Sequence, residues 1–152
     1  MKKILLISAP YQHLYGPVSP LVSFYFPLGL GYIAAFLEKN GYSVSLIAED
    51  GRIDVFDEVA RRIRDENLLY VGISSMTASF PAALKLARMI KNKIPEVPIV
   101  IGGPHATALK KIILDKYLEF DLVCFGEGEL TALDIAKSLS GRLPISDVVE
   151  VH

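Results

Sequence analysis

The stretch that decides the fold is residues 99–107, which have the sequence IVIGGPHAT. Its short apolar run ends at two glycines, and such a run is typical of a buried parallel strand. Two further apolar runs end comparably, at GISSMT (72–77) and at CFGEGE (124–129). The carboxyl ends of parallel strands lie along one edge of an open sheet, where ligands bind. We therefore predict a ligand site at this edge, formed by three loops with little side-chain bulk.

The rest of the chain alternates between strand and helix patterns. The predicted strands are residues 3–8, 43–48, 69–74, 98–101 and 121–125. The predicted helices are residues 28–40, 55–65, 80–93, 106–117 and 129–139. This alternation predicts an α/β fold, a doubly wound five-stranded parallel sheet with helices on both faces. The flavodoxin-like (Rossmann-like) strand order 2-1-3-4-5 fits five strands best and places the ligand near the loops after the first and third strands.

The 152 residues are most simply one domain, since a chain of this length can bury a core on both sides of a sheet. We assign residues 1–141 to this domain and residues 142–152 to a linker or to the start of a following domain. The segment 148–151 has the sequence VVEV and resembles a strand. Either it adds to an edge of the sheet or, as we prefer, the chain is cut where a second domain begins.

Composition excludes several functions. The net charge of −1 is scattered along the chain, so nothing indicates nucleic-acid binding. The single cysteine, Cys124, excludes a disulfide framework and cannot by itself supply an iron–sulfur cluster. The apolar segment 22–37 is interrupted by serine, proline and glycine, so we expect no membrane span and a cytoplasmic protein.

The connection between the first strand and the first helix, residues 9–27, is unusually long for a compact domain. It is too aromatic for a disordered linker. Its aromatic side chains and its histidine are Tyr11, His13, Tyr15, Phe24, Tyr25 and Phe26. We predict that this connection forms a flap over a ligand.

Two other classes of protein share this topology, namely dinucleotide-binding domains and the receiver domains of signalling proteins. Residues 29–34, GLGYIA, match the dinucleotide pattern, and Glu49 and Asp50 follow at a suitable distance. In that fold, however, the first glycine directly follows the first strand, so close packing of a helix on the sheet explains these glycines better. A receiver domain needs acidic residues after the first strand and an aspartate after the third. Those positions hold Ser8, Ala9, Ser74 and Ser75.

Taken together, the motifs resemble the cobalamin-binding domain at the N-terminus of one large class of radical S-adenosylmethionine enzymes. The motifs that carry the resemblance are PLGL (27–30), GYSV (41–44), GISS (72–75), GGPHAT (102–107) and GEGE (126–129). The match extends over residues 3–139. It implies cobalamin as the cofactor, with the corrin ring across the carboxyl edge and the nucleotide tail turned away from cobalt (base-off) into the flank of the sheet.

The resemblance also implies the site residues. The candidate cofactor-binding residues are Tyr11, His13, Ser74, Ser75, Met76, Thr77, Gly102, Gly103, Pro104, His105, Thr107, Gly126, Glu127 and Gly128. His13 begins an H-x-x-G half-signature, but Tyr11 occupies the position of the aspartate that would orient a histidine below the cobalt. We therefore expect no metal ligand from this chain, and we interpret His105 as a hydrogen-bonding loop residue.

The radical domain's C-x-x-x-C-x-x-C motif is absent from this sequence. S-adenosylmethionine and its iron–sulfur cluster would therefore be bound by a further C-terminal domain of the same full-length chain, and this chain alone is not expected to be an enzyme. The full protein would catalyse methyl transfer or a related rearrangement or ring formation. The alternative is a flavodoxin-like interaction module without a cofactor, and a dinucleotide-binding domain is less favoured. The aromatic flap favours the cobalamin module.

Overall fold

The computed structural model describes residues 1–141 and contains a five-stranded parallel sheet in the order β2-β1-β3-β4-β5. The strands are β1 (Lys3–Ser8), β2 (Ser43–Ile47), β3 (Leu68–Ser74), β4 (Ile99–Gly102) and β5 (Leu122–Val123). The helices are α1 (Leu28–Lys39), α2 (Val55–Asp65), α3 (Phe80–Lys93), α4 (Pro104–Leu109), α5 (Ile112–Lys116) and α6 (Gly128–Leu139). The predicted fold class and strand order are confirmed. The predicted strand at 148–151 lies outside the described residues.

Two predicted elements differ from the structure. The helix predicted over 106–117 is instead the pair α4 and α5, because Lys110 adopts a φ of 50°, which cannot continue a right-handed helix. The fifth strand was predicted over 121–125, but β5 has only two residues. Asp121 lies before it and uses its carboxylate to accept a hydrogen bond from the Ile99 amide at 2.7 Å.

The two faces of the sheet are packed differently. Side chains alternate between the faces along each strand. The face toward α2 and α3 is filled by branched apolar side chains that are almost fully buried. These side chains on β1, β3 and β4 are Leu5, Ile7, Val71, Ile73, Ile99 and Ile101. This face is a continuous apolar core.

On the opposite face, under α1 and α6, the side chains become smaller from row to row toward the carboxyl edge of the sheet. Strand β3 carries Tyr70, Gly72 and Ser74 on this face. Gly72 pairs in register with Leu6 on β1 and Val100 on β4. The next row across the sheet is Ser8, Ser74 and Gly102. This gradient leaves space beneath the two helices at the edge where the loops meet. Over residues 1–141, no helix is long and apolar enough to cross a membrane.

Candidate functional site

A cleft of about 830 Å³ opens at the carboxyl edge of the sheet. The sheet, α1, α6, the three predicted loops and the flap (residues 9–27) form its walls. We call its inner apolar part the chamber. The chamber residues are Leu6, Leu30, Ile33, Tyr70, Gly72, Val100, Cys124, Ala132 and Ile135. The space therefore combines an outer mouth of small loop residues with a deep apolar pocket under the helices.

The chamber is uncharged. Tyr70 is almost fully buried, and its hydroxyl donates a hydrogen bond to the Ala132 carbonyl at 3.2 Å. Burial raises the pKa of Tyr70, so the phenol stays neutral. Burial also raises the pKa of the Cys124 thiol, although a hydrogen bond with Thr131 opposes this shift. Cys124 is therefore a packed neutral thiol, not a thiolate available to bind a metal.

Ser75 is the polar group that the protein itself leaves unsatisfied in this cleft. Its side chain is 3% exposed, and its Oγ is buried without a hydrogen-bond partner among the described residues. The backbone holds it firmly, since the Ser75 amide donates to Gly102 O at 3.1 Å and its carbonyl accepts from His105 N at 3.2 Å. A buried, unpaired hydroxyl costs about 1–3 kcal/mol. Because Ser75 Oγ has almost no accessible surface, a ligand in the cleft does not reach it unless the side chain moves.

Gly103 brings two of the loops into direct contact. It has a φ of 92°, and a Cβ atom there would lie 2.8 Å from Ser75 O and 2.9 Å from Ser75 N. The sequence analysis assigned this glycine to ligand binding, but the adjacent backbone already requires it. Gly102 differs, because a Cβ atom there would lie 3.5 Å from its nearest neighbour, the Cys124 carbonyl oxygen, which is an ordinary contact.

The structure brings most of the predicted site residues to the cleft. Those that line it are Tyr11, Ser74, Ser75, Met76, Gly102, Gly103, Pro104, Gly126, Glu127 and Gly128. Those outside its lining are His13, Thr77, His105 and Thr107. The predicted loops therefore converge at one edge, while three of their polar residues and His13 of the flap lie outside the lining.

Three of these four side chains tie loops together. His105 Nδ1 lies 3.1 Å from Thr77 Oγ1, which links the loop after β3 to the start of α4. The His105 ring also stacks on Phe80, with centroids 4.3 Å apart, and burial lowers its pKa. Thr107 Oγ1 accepts a hydrogen bond from the Gly126 amide at 3.1 Å. These contacts hold the loops of the mouth in position, although the three side chains do not line the cleft.

Glu49 anchors the flap, a role that the sequence analysis did not predict. Its carboxylate accepts hydrogen bonds from the Tyr11 amide at 2.8 Å and the Gln12 amide at 3.1 Å, where a 3-10 helix (Gln12–Leu21) begins. The Tyr11 hydroxyl accepts a further hydrogen bond from the Tyr25 amide at 3.2 Å. His13 lies on the 3-10 helix and is exposed. The flap is therefore held at its start by Glu49, and its histidine lies outside the cleft lining.

The glycines of the dinucleotide-like motif lie inside α1, and one of them, Gly31, accommodates the flap. A Cβ atom at Gly31 would lie 2.6 Å from Cε1 of Phe26, whereas one at Gly29 would meet no atom within 4 Å. The sequence analysis predicted that these glycines let the helix pack on the sheet, and that prediction is wrong. Gly31 instead makes room for a flap ring.

We expect the Glu49→Ala variant to exchange the Tyr11 and Gln12 amide hydrogens roughly tenfold faster or more, because hydrogen bonds to a charged group contribute about 1.5–3 kcal/mol. Hydrogen exchange followed by mass spectrometry or NMR measures this rate. Asp50→Ala is the matched control, since its carboxylate accepts from the Arg52 amide at 2.8 Å, outside the flap. Unchanged exchange at Tyr11 and Gln12 in Glu49→Ala would show that other contacts hold the flap.

Comparison with known proteins identifies the class of this domain. Residues 18–136 match the B12 binding domain family, and the chain belongs to that family. The cofactor of the family is cobalamin, as the sequence predicted. The chain is 31% identical to an uncharacterized methyltransferase of Pyrococcus horikoshii, over 91% of this chain and 29% of the relative. It is 36% identical to the cytidylyl-2-hydroxyethylphosphonate methyltransferase of Streptomyces wedmorensis, over 81% of this chain and 26% of the relative.

A solved structure shares the fold. It is that of OxsB, a cobalamin-dependent S-adenosylmethionine radical enzyme with aqua-cobalamin and S-adenosylmethionine bound. The two folds align with a TM-score of 0.78 at 18% identity, over 95% of this chain and 20% of OxsB. The predicted resemblance to the cobalamin-binding domains of this enzyme class is confirmed. The chain spans less than a third of the length of these relatives.

Proposed function

We propose that this chain is the cobalamin-carrying module of a radical S-adenosylmethionine enzyme and that it holds the cofactor base-off. The observation that carries the proposal is the apolar chamber beneath α1 and α6, which opens at the carboxyl edge of the sheet. The chamber would take the nucleotide tail, and the mouth would take the corrin ring. When bound, cobalamin supplies a cobalt centre that can carry a methyl group or an electron.

The residues present fit such a ligand. The mouth contributes small groups, among them Gly102 and Gly126, which leave room for a broad ring system. Ser8 and Ser74, which pair in register next to the chamber, line the cleft and carry hydroxyls that can donate hydrogen bonds to a tail. On the flap side, the aromatic rings of Tyr25 and Phe26 line the cleft while being largely exposed, so a ring lying against them would bury apolar surface. Each group acts on the cofactor by packing or hydrogen bonding.

We propose that no histidine of this chain ligates the cobalt. His13 is the candidate, but it is exposed on the 3-10 helix and outside the cleft lining. The carboxylate of Glu49 lies at the start of the same 3-10 helix, but it already accepts hydrogen bonds from the Tyr11 and Gln12 amides. A ligating imidazole is normally oriented by such a group. The position of His13 therefore supports a cobalt without a histidine below it.

For the whole protein, we propose methyl transfer or a related radical reaction, carried out with a separate catalytic domain in the same full-length chain. The support is the pair of relatives described as methyltransferases and the short share of each that this chain covers. This domain would then present cobalamin at its carboxyl edge to that catalytic domain. A role as an interaction module without a cofactor has less support, because an apolar cleft of about 830 Å³ is space that a ligand can fill.

Equilibrium dialysis with hydroxocobalamin tests the proposal, and we expect the folded chain to retain it with a base-off absorption spectrum. Electron paramagnetic resonance of the cobalt(II) form then reports the axial ligand, because one axial nitrogen splits each cobalt line into three. We expect no such splitting. Splitting that disappears in His13→Ala would identify His13 as the ligand, and splitting that persists in this variant would show base-on binding. No retention by the folded chain would overturn the proposed function.

A further inference from the structure

Lys110 adopts a backbone conformation that this chain otherwise gives to glycine. It lies between α4 and α5 with a φ of 50° and a ψ of −132°. Among the described residues, every other positive φ belongs to a glycine. Gly16 in the flap has nearly the same conformation, with a φ of 53° and a ψ of −130°. A side chain at such a position costs free energy, so a lysine here indicates that its side chain has a role.

Hydrogen bonds on both sides hold this conformation. The Lys110 amide donates to the Ala106 carbonyl at 2.7 Å, and the Lys110 carbonyl accepts from the Ile113 amide at 3.2 Å. The side chain extends from this fixed backbone to the loop after β5, where its Nζ lies 5.3 Å from the centroid of the Phe125 ring. A lysine ammonium over a ring at this distance makes a favourable cation–π contact.

Phe125 connects the two parts of the cleft. The residue before it, Cys124, belongs to the chamber, and the residue after it, Gly126, lines the mouth. The Phe125 side chain is half-buried against the core of the opposite, filled face. Thr107, three residues before Lys110, accepts a hydrogen bond from the Gly126 amide at 3.1 Å. Helix α4 and the lysine at its end therefore contact this loop at two successive residues.

We propose that Lys110 is a positioning residue of the cleft, which holds the loop after β5 (residues 124–127) in place through the Phe125 ring. The strained backbone directs the ammonium to the ring, and the ring fixes the course of the loop. Gly126 and Glu127 are thereby kept at the mouth, where they line the space for a ligand. The part of this inference that concerns a corrinoid rests on the proposed function, whereas the part that concerns the loop does not.

Lys110→Met tests the contact, because methionine keeps an unbranched side chain and loses the charge. Lys85→Met is the matched control, since Lys85 Nζ lies 4.8 Å from the Phe56 ring centroid, between α3 and α2. In the cofactor-free Lys110→Met chain, we expect the Gly126 amide hydrogen to exchange roughly two- to fivefold faster, which corresponds to the loss of one exposed cation–π contact. Lys110→Arg should exchange as the wild type does, because arginine makes the same contact. NMR measures these rates.

Equilibrium dialysis with hydroxocobalamin measures the consequence for the ligand. We expect Lys110→Met to bind it roughly two- to fivefold more weakly, and Lys110→Arg and Lys85→Met to bind it as the wild type does. Unchanged Gly126 exchange in Lys110→Met, an equal acceleration in Lys85→Met, or faster exchange with unchanged affinity would overturn the inference. If the folded wild type retains no hydroxocobalamin, the proposed function is overturned instead, and the exchange rates still decide whether Lys110 holds the loop.

Lys110→Gly and Lys110→Ala test the strained backbone. Both remove the cation–π contact, but only glycine relieves the conformation. We therefore expect Lys110→Gly to unfold at a higher urea concentration than Lys110→Ala, although its Gly126 amide exchanges as fast as in Lys110→Met. Gly16→Ala is the matched control, since a Cβ atom there would meet no atom within 4 Å, and it should lower the urea midpoint through strain alone. A Lys110→Gly chain that is no more stable than Lys110→Ala, or that exchanges Gly126 at the wild-type rate, would overturn the inference.

Discussion

Replacing Gly72 with valine is expected to weaken cobalamin binding about a hundredfold while the domain still folds. Gly72 lies in the sheet wall of the chamber, so a valine side chain would occupy space that the nucleotide tail needs. A new Cβ atom would lie 3.8 Å from Tyr70 Cε2 and 2.9 Å from Leu6 Cδ2, the movable tip of a side chain. Overpacking of this kind costs about 1–3 kcal/mol. A hundredfold loss of affinity corresponds to about 2.8 kcal/mol, which lies within that range.

The affinities of Gly72→Val for cobalamin and cobinamide measure this effect. Cobinamide has no base to place in the chamber, so its affinity should not change. Val71→Ile is the matched control, because it adds bulk at the position of β3 directly before Gly72, where the side chain lies on the filled face. Valine favours the strand conformation, which supports folding of the variant. A folded Gly72→Val protein with wild-type affinity for cobalamin would show that the tail does not enter the chamber.

The topology and the position of the site could be predicted from the sequence. Apolar runs that end in glycine-rich loops define both a parallel strand and its ligand-facing end, and the helices between them dictate the crossovers. The convergence of loops such as 102–107 and 126–129 followed from these local patterns, and the strand order from the common order for five alternating strands. Such features depend on residues adjacent in the sequence, which is why they were accessible.

The chamber could also have been found, from one signal that the analysis did not use. Alternate residues of β3 on one face are Tyr70, Gly72 and Ser74, one large side chain followed by two small residues toward the carboxyl end. Strand β1 repeats the pattern on the same face with Ile4, Leu6 and Ser8. Two neighbouring strands that taper in the same direction predict a space under the helices that cover them.

Other features depend on contacts between residues that are distant in sequence. The carboxylate of Glu49 meets the amide of Tyr11, 38 positions earlier, because β1 and β2 end side by side. Likewise, Gly31 is small because the Phe26 ring folds back over α1. Neither contact leaves a periodic pattern in the sequence. In the sequence, both residues only match a dinucleotide pattern that the long preceding connection disfavours, whereas their neighbours in space give their roles.

The last prediction concerns Gly103, whose replacement by alanine is expected to lower the free energy of unfolding by about 3 kcal/mol or more. Its φ of 92° and ψ of −175° lie in a region that only glycine adopts readily, and a residue held there costs about 1–3 kcal/mol. The clash adds to this strain, since the new Cβ atom would lie within 2.9 Å of two backbone atoms of Ser75. Backbone atoms cannot rotate away as a side-chain tip can, so the two loops must separate.

Urea unfolding of the cofactor-free chain, followed by circular dichroism, measures this loss, and Gly102→Ala is the matched control. At Gly102 the nearest atom to a new Cβ is Cys124 O at 3.5 Å, and no positive φ opposes the substitution. Its free energy of unfolding should therefore stay within about 1 kcal/mol of the wild type. Because the cofactor is left out, any difference between the two variants reports on the protein alone. Equal stability of the two variants would mean that the contact between the loops is not what requires glycine at position 103, and ligand approach would again be the better explanation.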